Sequence, residues 1–169
     1  MDDAGLFAPD QRLELLGGEV IEMAPIGSRH AAAVKRLNRI LSQAVGDRVV
    51  VGVQDPVRLS DLSEPQPDLT LLRWRPDMYQ SAHPGPADVL LLIEVSDTTA
   101  PWDRSVKRPL YAAAGIEEMW VVDIGDRIIE VATNPSPDGY RTISAIAPGG
   151  TVTPLAFGNL TLAVTDLLA

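Results

Sequence analysis

The stretch Ser63-Glu-Pro-Gln-Pro-Asp-Leu-Thr-Leu-Leu-Arg73 leads from a polar loop into an apolar run, with Asp68 at the boundary between them. Residues 68–73 are predicted to form a strand, and a proline just before it is compatible with a strand entry. A second run, Asp88-Val-Leu-Leu-Leu-Ile-Glu-Val95, carries Glu94 near its end. Because this run is apolar on both faces, it predicts a central strand of a covered sheet.

The pairing of these two strands decides whether their carboxylates meet. Sequential strands are often neighbours, and an antiparallel pair would place the start of the first beside the end of the second, with Asp68 near Glu94. Two carboxylates at one sheet edge suit a hard divalent cation, since Mg²⁺ takes one or two carboxylates and keeps several waters. Without a metal or a proton the like charges would repel each other. The two strands therefore predict a divalent metal site.

The N-terminal part of the chain predicts a hairpin followed by a helix. Residues 12–24 are predicted to form the β-hairpin, because Gly17-Gly18 readily adopts a tight turn. Ser28 is a candidate N-cap for a helix over residues 29–45, and His30 falls on the apolar side of that helix. The opposite face is basic and carries Arg29, Lys35, Arg36 and Arg39.

The remaining elements complete an α/β order. A strand over residues 48–53 is predicted, with a continuation to Leu59 left open. A second helix precedes Gly115, and because Pro109 has no N–H to donate, this helix either begins near Ser105 or kinks at the proline. Further strands are predicted at residues 118–124, 127–133 and 140–147, followed by a short β C-terminus.

Bulk composition limits the class of protein. A chain of 169 residues predicts a single domain over residues 1–169. It has no cysteine, which excludes disulfides and thiolate metal sites, and no signal-peptide or membrane-spanning pattern is seen, so a cytoplasmic protein without membrane contact is expected. The net charge of −9 argues against broad, non-specific nucleic-acid binding, which relies on Lys and Arg.

The ordered set of motifs resembles a known superfamily. Pro67-Asp68, then Glu94-Val95-Ser96 within an αβββαβ order, is similar to the PD-(D/E)xK nucleases of restriction-endonuclease-like fold. The resemblance is closer still to the Uma2 family of proposed endonucleases, and it extends from about residue 13 to residue 133. The segments that carry it include Leu15 to Pro25, His30, Gln54 to Leu59, Glu64 to Asp68, Val89 to Ser96, Asp103-Arg104, Lys107 to Ala112 and Ala114 to Asp123.

This resemblance implies an αβββαβ core with a mixed central sheet flanked by helices, preceded by the hairpin and followed by a C-terminal β extension. It implies metal-dependent hydrolysis of DNA phosphodiester bonds, with Asp68 and Glu94 binding Mg²⁺ or Mn²⁺ and the Val95 carbonyl as a further ligand. Ser96 stands where the motif has a lysine, so Lys107 on the following helix is the implied replacement. His30 is an auxiliary candidate beside the metal.

Alternatives remain open for each of these roles. Asp68 can be a simple strand-entry residue, Lys107 a solvated helix residue and His30 a core histidine. Ser96 and the net charge of −9 favour a non-catalytic module that keeps the nuclease fold for binding or assembly. Nucleases of this fold often pair their sites, so a homodimer is an assembly that the resemblance allows, although no residue of the sequence specifies it.

Overall fold

A computed structural model describes residues 12–169, and residues 1–11, which contribute to the expectation of no signal peptide, lie outside the described part. The strands are β1 (Leu13–Leu16), β2 (Glu19–Glu22), β3 (Val49–Val53), β4 (Leu69–Arg73), β5 (Val89–Ser96), β6 (Glu118–Asp123), β7 (Ile128–Ser136), β8 (Gly139–Ile146), β9 (Thr151–Val152) and β10 (Leu162–Ala163). The helices are α1 (Ser28–Val45), α2 (Ala100–Trp102), α3 (Arg108–Ala113) and α4 (Val164–Leu167), and a π turn (Asp103–Lys107) joins α2 to α3.

The predicted mixed sheet is confirmed. Six strands follow the order β3-β4-β5-β6-β7-β8, and β5 and β6 form the parallel pair of an otherwise antiparallel sheet. A parallel pair needs a crossover connection, which the helical segment between β5 and β6 provides. The predicted N-terminal hairpin is confirmed as the antiparallel pair of β1 and β2, and β9 pairs with β10 near the C-terminus.

Helices cover both faces of the sheet, and strand alternation decides which side chain meets which helix. On β5, Leu91, Ile93 and Val95 pack in one core cluster with the apolar side of α1. Leu92 packs in the other cluster, which contains Tyr111 of α3. Since alternate strand residues face opposite sides, Glu94 has the same orientation as Leu92 and points to the α3 side.

Local details differ from the sequence-based expectations. Helix α1 begins at Ser28 with Gly27 as its N-cap, and because Gly27 has no side chain the cap has no side-chain hydrogen bond. Strand β3 ends at Val53 and does not continue to Leu59, because Gln54 has a φ of 57° that an extended strand cannot contain. The short helix α4 in the predicted β C-terminus was missed, since four residues are too few for a helical period.

Within residues 12–169, no helix is long and apolar enough to cross a membrane.

Candidate active site

A cleft with a volume of about 480 Å³ opens where β4 begins and β5 ends. The residues predicted from sequence for the site all line it, namely His30, Asp68, Glu94, Val95 and Lys107. Residues 21–27, which include the end of β2, also line the cleft, as do residues 97–99, Trp102 and Asp103. The structure thus brings the predicted residues together in one cleft.

The two acids meet because β4 and β5 are antiparallel. Leu69 lies opposite Ile93 in the register, so Asp68, one residue before β4, comes opposite Glu94. Asp68 is 7 % exposed and Glu94 is 3 % exposed, so both carboxylates are held in a largely desolvated place. Buried carboxylates are rare unless they are paired or bind a metal.

Three groups fix the carboxylate of Asp68. The Val95 N–H donates to Oδ2 at 2.9 Å, and the side-chain amide of Gln54 donates to Oδ1 at 3.1 Å. His30 Nε2 forms a hydrogen bond with Oδ2, also at 2.9 Å. This hydrogen bond with Asp68 outweighs burial and raises the pKa of His30 above its usual value. Residues of α1 and β5, together with the residue that follows β3, therefore fix the orientation of the Asp68 carboxylate.

Gln54 is a site residue to which the sequence analysis assigned no role, although it begins one of the segments that carry the family resemblance. Its φ of 57° lies in the left-handed region, which costs a non-glycine residue about 1–3 kcal/mol. This conformation lets its backbone N–H donate to the Asp68 carbonyl at 3.1 Å while its side chain binds the Asp68 carboxylate. The available signal was a polar residue directly after the β-branched run of β3, which is weak without the fold.

Glu94 and Lys107 form a buried hydrogen-bonded pair, which becomes an ion pair once Glu94 loses its proton. The Lys107 Nζ lies 3.1 Å from Glu94 Oε1, and the Tyr111 hydroxyl donates to the same oxygen at 2.7 Å. Burial, which outweighs the attraction of Lys107, raises the pKa of Glu94 to about 8. Burial disfavours the Lys107 ammonium, but the carboxylates of Glu94 and Glu14 overcome it and raise the pKa of Lys107. Lys107 is therefore charged near neutral pH.

Glu14 of the N-terminal hairpin is a second site residue that the sequence missed. Its Oε1 accepts hydrogen bonds from Lys107 Nζ and from the Gln66 N–H, both at 2.8 Å. Glu14 is 2 % exposed, so the hairpin contributes a buried acid to the cleft. The contact joins residues 93 positions apart, and no local pattern could have indicated it.

The helical segment after β5 brings Lys107 Nζ to within 3.1 Å of Glu94 Oε1. It starts at Ala100, earlier than Ser105, and is interrupted by the π turn, in which the Arg108 N–H donates to the Asp103 carbonyl. Pro109 follows at the start of α3, so the expected irregularity at the proline is present as a π turn. Ser96 donates its hydroxyl to Asp103 at 2.6 Å and takes no part in the acid pair.

The Val95 carbonyl lies on the β4 side of β5, beside Asp68 and His30. Its N–H donates to Asp68, so Val95 faces the β4 side of β5, and the carbonyl of a strand residue points to the same side as its N–H. Extending the register by two residues from Leu69 and Ile93 places Pro67 opposite Val95. Proline has no N–H, so Pro67 cannot donate the hydrogen bond that the opposite residue of a β-ladder would give to the Val95 carbonyl.

These donors fit a hard divalent cation. Among residues 12–169 there is no group of three or more His, Cys, Asp and Glu side chains able to hold a metal ion. Mg²⁺ does not need one, because it binds through one or two carboxylates and completes its shell with waters and substrate phosphate. Asp68, Glu94 and the Val95 carbonyl supply only oxygen donors, which suits Mg²⁺ or Mn²⁺.

Comparisons with known proteins agree with this fold. The Uma2 family, described as "Putative restriction endonuclease", matches residues 3–165. The solved structure of "a putative nuclease belonging to DUF820" from Anabaena variabilis ATCC 29413 is similar, with a TM-score of 0.74 and 14% identity, covering 97% of this chain and 93% of that chain. At this identity the structural likeness concerns the fold alone. No curated protein matches the chain.

Proposed function

Because the chain belongs to the Uma2 family of restriction-endonuclease-like proteins, we propose that it is a metal-dependent endonuclease that hydrolyses DNA phosphodiester bonds. One observation carries the proposal: the antiparallel β4–β5 junction puts Asp68 and Glu94 in one cleft with the charged Lys107. Nucleic acid is the substrate that the family implies, and DNA is our more specific assignment. We also propose one domain over residues 1–169, a cytoplasmic location and, as a possible assembly, a homodimer.

Asp68, Glu94 and the Val95 carbonyl would hold Mg²⁺ or Mn²⁺. When bound, the cation polarises the scissile phosphate and lowers the pKa of an attacking water. His30 and Gln54 hold the carboxylate of Asp68 in one orientation, since they bind different oxygens of it. That orientation matters because a small misplacement of a reacting group costs a large part of the rate.

Lys107 is proposed to act as a fixed positive charge. The carboxylates of Glu14 and Glu94 keep its pKa raised, so it is a poor proton acceptor at neutral pH and cannot serve as the general base. An ammonium in a desolvated cleft instead stabilises the negative charge that develops on the phosphate. The distance of 3.1 Å between Lys107 Nζ and Glu94 Oε1 supports this role.

A non-catalytic role is the second candidate, and one observation favours it. The Lys107 amine is already bound by two carboxylates, so the buried charges are partly compensated without any metal. A module that uses the nuclease fold for binding or assembly would keep this arrangement for stability. It would bind no divalent cation at Asp68, which separates it from the nuclease in a calorimetric titration of wild type against Asp68→Asn.

The decisive experiment is a cleavage assay on circular single-stranded DNA and on supercoiled plasmid, each with Mg²⁺ or Mn²⁺. We expect cleavage of DNA that stops on adding EDTA and falls about 100-fold or more in Asp68→Asn and Glu94→Gln. Lys107→Met should show a similar loss. Lys35→Met is its matched control, because Lys35 is the other lysine of the sequence and lies exposed on α1.

Asp138→Asn, at an exposed position in the turn between β7 and β8, controls for the loss of a carboxylate. Thermal unfolding of each variant separates loss of activity from loss of fold. The endonuclease would be refuted if the protein hydrolysed neither plasmid, nor single-stranded DNA, nor RNA in the presence of a divalent metal ion. Equal activity of wild type and Asp68→Asn would refute the site.

A further inference from the structure

The cleft has an apolar rim above its acidic floor. We define this apolar rim as Met23, Ala24, Pro25, Ile26 and Trp102, all of which line the cleft. Ile26 and Trp102 are each 41 % exposed, which is high for large apolar side chains beside a polar site. Exposed aromatic and aliphatic groups that converge on a concave site with a few polar groups are typical of ligand recognition.

The charge of the cleft is unfavourable for a polyanion. Among the described residues that line it, six are acids, Glu14, Glu22, Asp68, Glu94, Asp97 and Asp103, whereas Arg12 and Lys107 are the permanent cations. Lys107 is bound by two carboxylates. Arg29 at the start of α1 lies 2.9 Å from Asp97 and is paired as well. Little positive charge therefore remains for a row of phosphates.

This balance disfavours duplex DNA as the bound form. A duplex carries one negative charge per about 1.7 Å of its axis, and proteins that hold it neutralise several phosphates with Lys and Arg. A cation held by Asp68 and Glu94 would compensate the charge of one neighbouring phosphate and not that of an extended backbone. The remaining affinity must come from contacts that carry no charge.

Base stacking is such a contact, and Trp102 is placed to supply it. Every nucleobase has a π face, and aromatic side chains bind unstacked bases without regard to sequence. In a duplex those faces are covered by neighbouring bases, so a single strand or an unpaired region presents them. The aliphatic side chains of the apolar rim, such as Ile26, would add apolar contact with the same base.

We propose that the apolar rim is a base-binding subsite in which Trp102 stacks on a nucleobase, and that the substrate is single-stranded DNA. This inference rests on the proposed function, because the phosphate next to the stacked base is the one that would reach Asp68 and Glu94.

The test measures binding separately from cleavage. Fluorescence anisotropy with a 5′-fluorescein-labelled oligothymidylate of about 12 nucleotides, in Ca²⁺ instead of Mg²⁺ to limit hydrolysis, is compared with the same strand in a duplex. We expect the single strand to bind about tenfold more tightly or better. Trp102→Ala should weaken its binding about 10- to 100-fold, and Trp102→Phe, which keeps a ring, should stay within about threefold of wild type.

Trp74 provides the matched control. It is 53 % exposed but does not line the cleft, so Trp74→Ala should leave binding unchanged. Quenching of tryptophan fluorescence by the oligonucleotide should be lost in Trp102→Ala and kept in Trp74→Ala. Duplex binding as tight as single-strand binding, or Trp102→Ala binding like wild type, overturns the inference.

The two proposals fail in distinguishable ways. Metal-dependent cleavage that Trp102→Ala leaves intact on all substrates would refute the base-binding subsite and leave the endonuclease standing. Trp102-dependent single-strand binding with no cleavage in Mg²⁺ or Mn²⁺ would support the subsite and refute the endonuclease.

Discussion

At the scale of single residues, the protonation of Glu94 makes the free energy of unfolding depend on pH. Burial raises its pKa from 4.5 to about 8, so between these values the metal-free folded protein keeps a proton that the unfolded chain releases. The contribution of this group to the free energy of unfolding is therefore greatest at low pH and falls as the pH rises toward about 8. Urea unfolding in EDTA at several pH values between about 5 and 9 measures it.

Glu94→Gln is the control for this pH dependence, because glutamine keeps the shape and cannot titrate. The fall in stability with rising pH should be smaller in Glu94→Gln than in wild type. An identical pH profile in the two proteins would show that Glu94 does not retain the proton.

Glu14 is predicted to position Lys107. In Glu14→Gln the ammonium keeps Glu94 as a partner and loses the carboxylate that holds it at 2.8 Å, so the turnover rate should fall about 10-fold or more. The affinity for Mg²⁺ measured by calorimetry should change much less, because Glu14 is not among the proposed ligands. A loss of metal binding equal to the loss of turnover would instead make Glu14 a ligand.

At the scale of elements, the π turn determines where Lys107 points. Pro109 cannot donate an N–H and its ring would collide with the carbonyl four residues earlier in a regular helix. The substitution Pro109→Ala makes a regular helix possible. Loss of the extra residue that the π turn contains would rotate Lys107 by about 100° around the helix axis. Turnover should fall about 10-fold or more, and the melting temperature should fall as well, because the buried Glu14 and Glu94 would lose their partner.

Pro101→Ala is the matched control, since Pro101 lies in the first turn of α2, where proline is tolerated. Its turnover should match wild type. Equal turnover of Pro109→Ala and wild type would show that the π turn does not control the site.

The elements show how far sequence reasoning extends. Helix α1 and strands β4 and β5 were predictable, because their apolar periodicities are strong and local. The meeting of Asp68 with Glu94 followed from one assumption about antiparallel pairing, which the register satisfies. Glu14 and Gln54 were not predictable, since one depends on a contact over 93 residues and the other on a positive φ.

At the scale of the whole molecule, the net charge of −9 predicts a weak salt dependence of DNA binding, because few Lys and Arg side chains are available to neutralise phosphates. With few unpaired cations at the cleft, the slope of the logarithm of the binding constant against the logarithm of salt concentration should have a magnitude of about 1–2. Anisotropy titrations from about 50 to 300 mM NaCl measure this slope.

A slope of about 5 or more would contradict the expectation and indicate a longer track of phosphate contacts. The basic face of α1 would then be the first place to examine. Replacement of Arg36 and Arg39 by glutamine should lower such a slope and leave a slope of 1–2 unchanged.

The burial of Lys107 has a practical consequence for following the protein in solution. The sequence holds two lysines, of which Lys35 is exposed and Lys107 is 5 % exposed and bound by two carboxylates. A mild amine-reactive reagent should therefore modify one lysine side chain per folded molecule and spare the other. Mass spectrometry of proteolytic peptides can detect the modification of Lys107, and its appearance would report opening of the contact between Glu14 of the hairpin and Lys107.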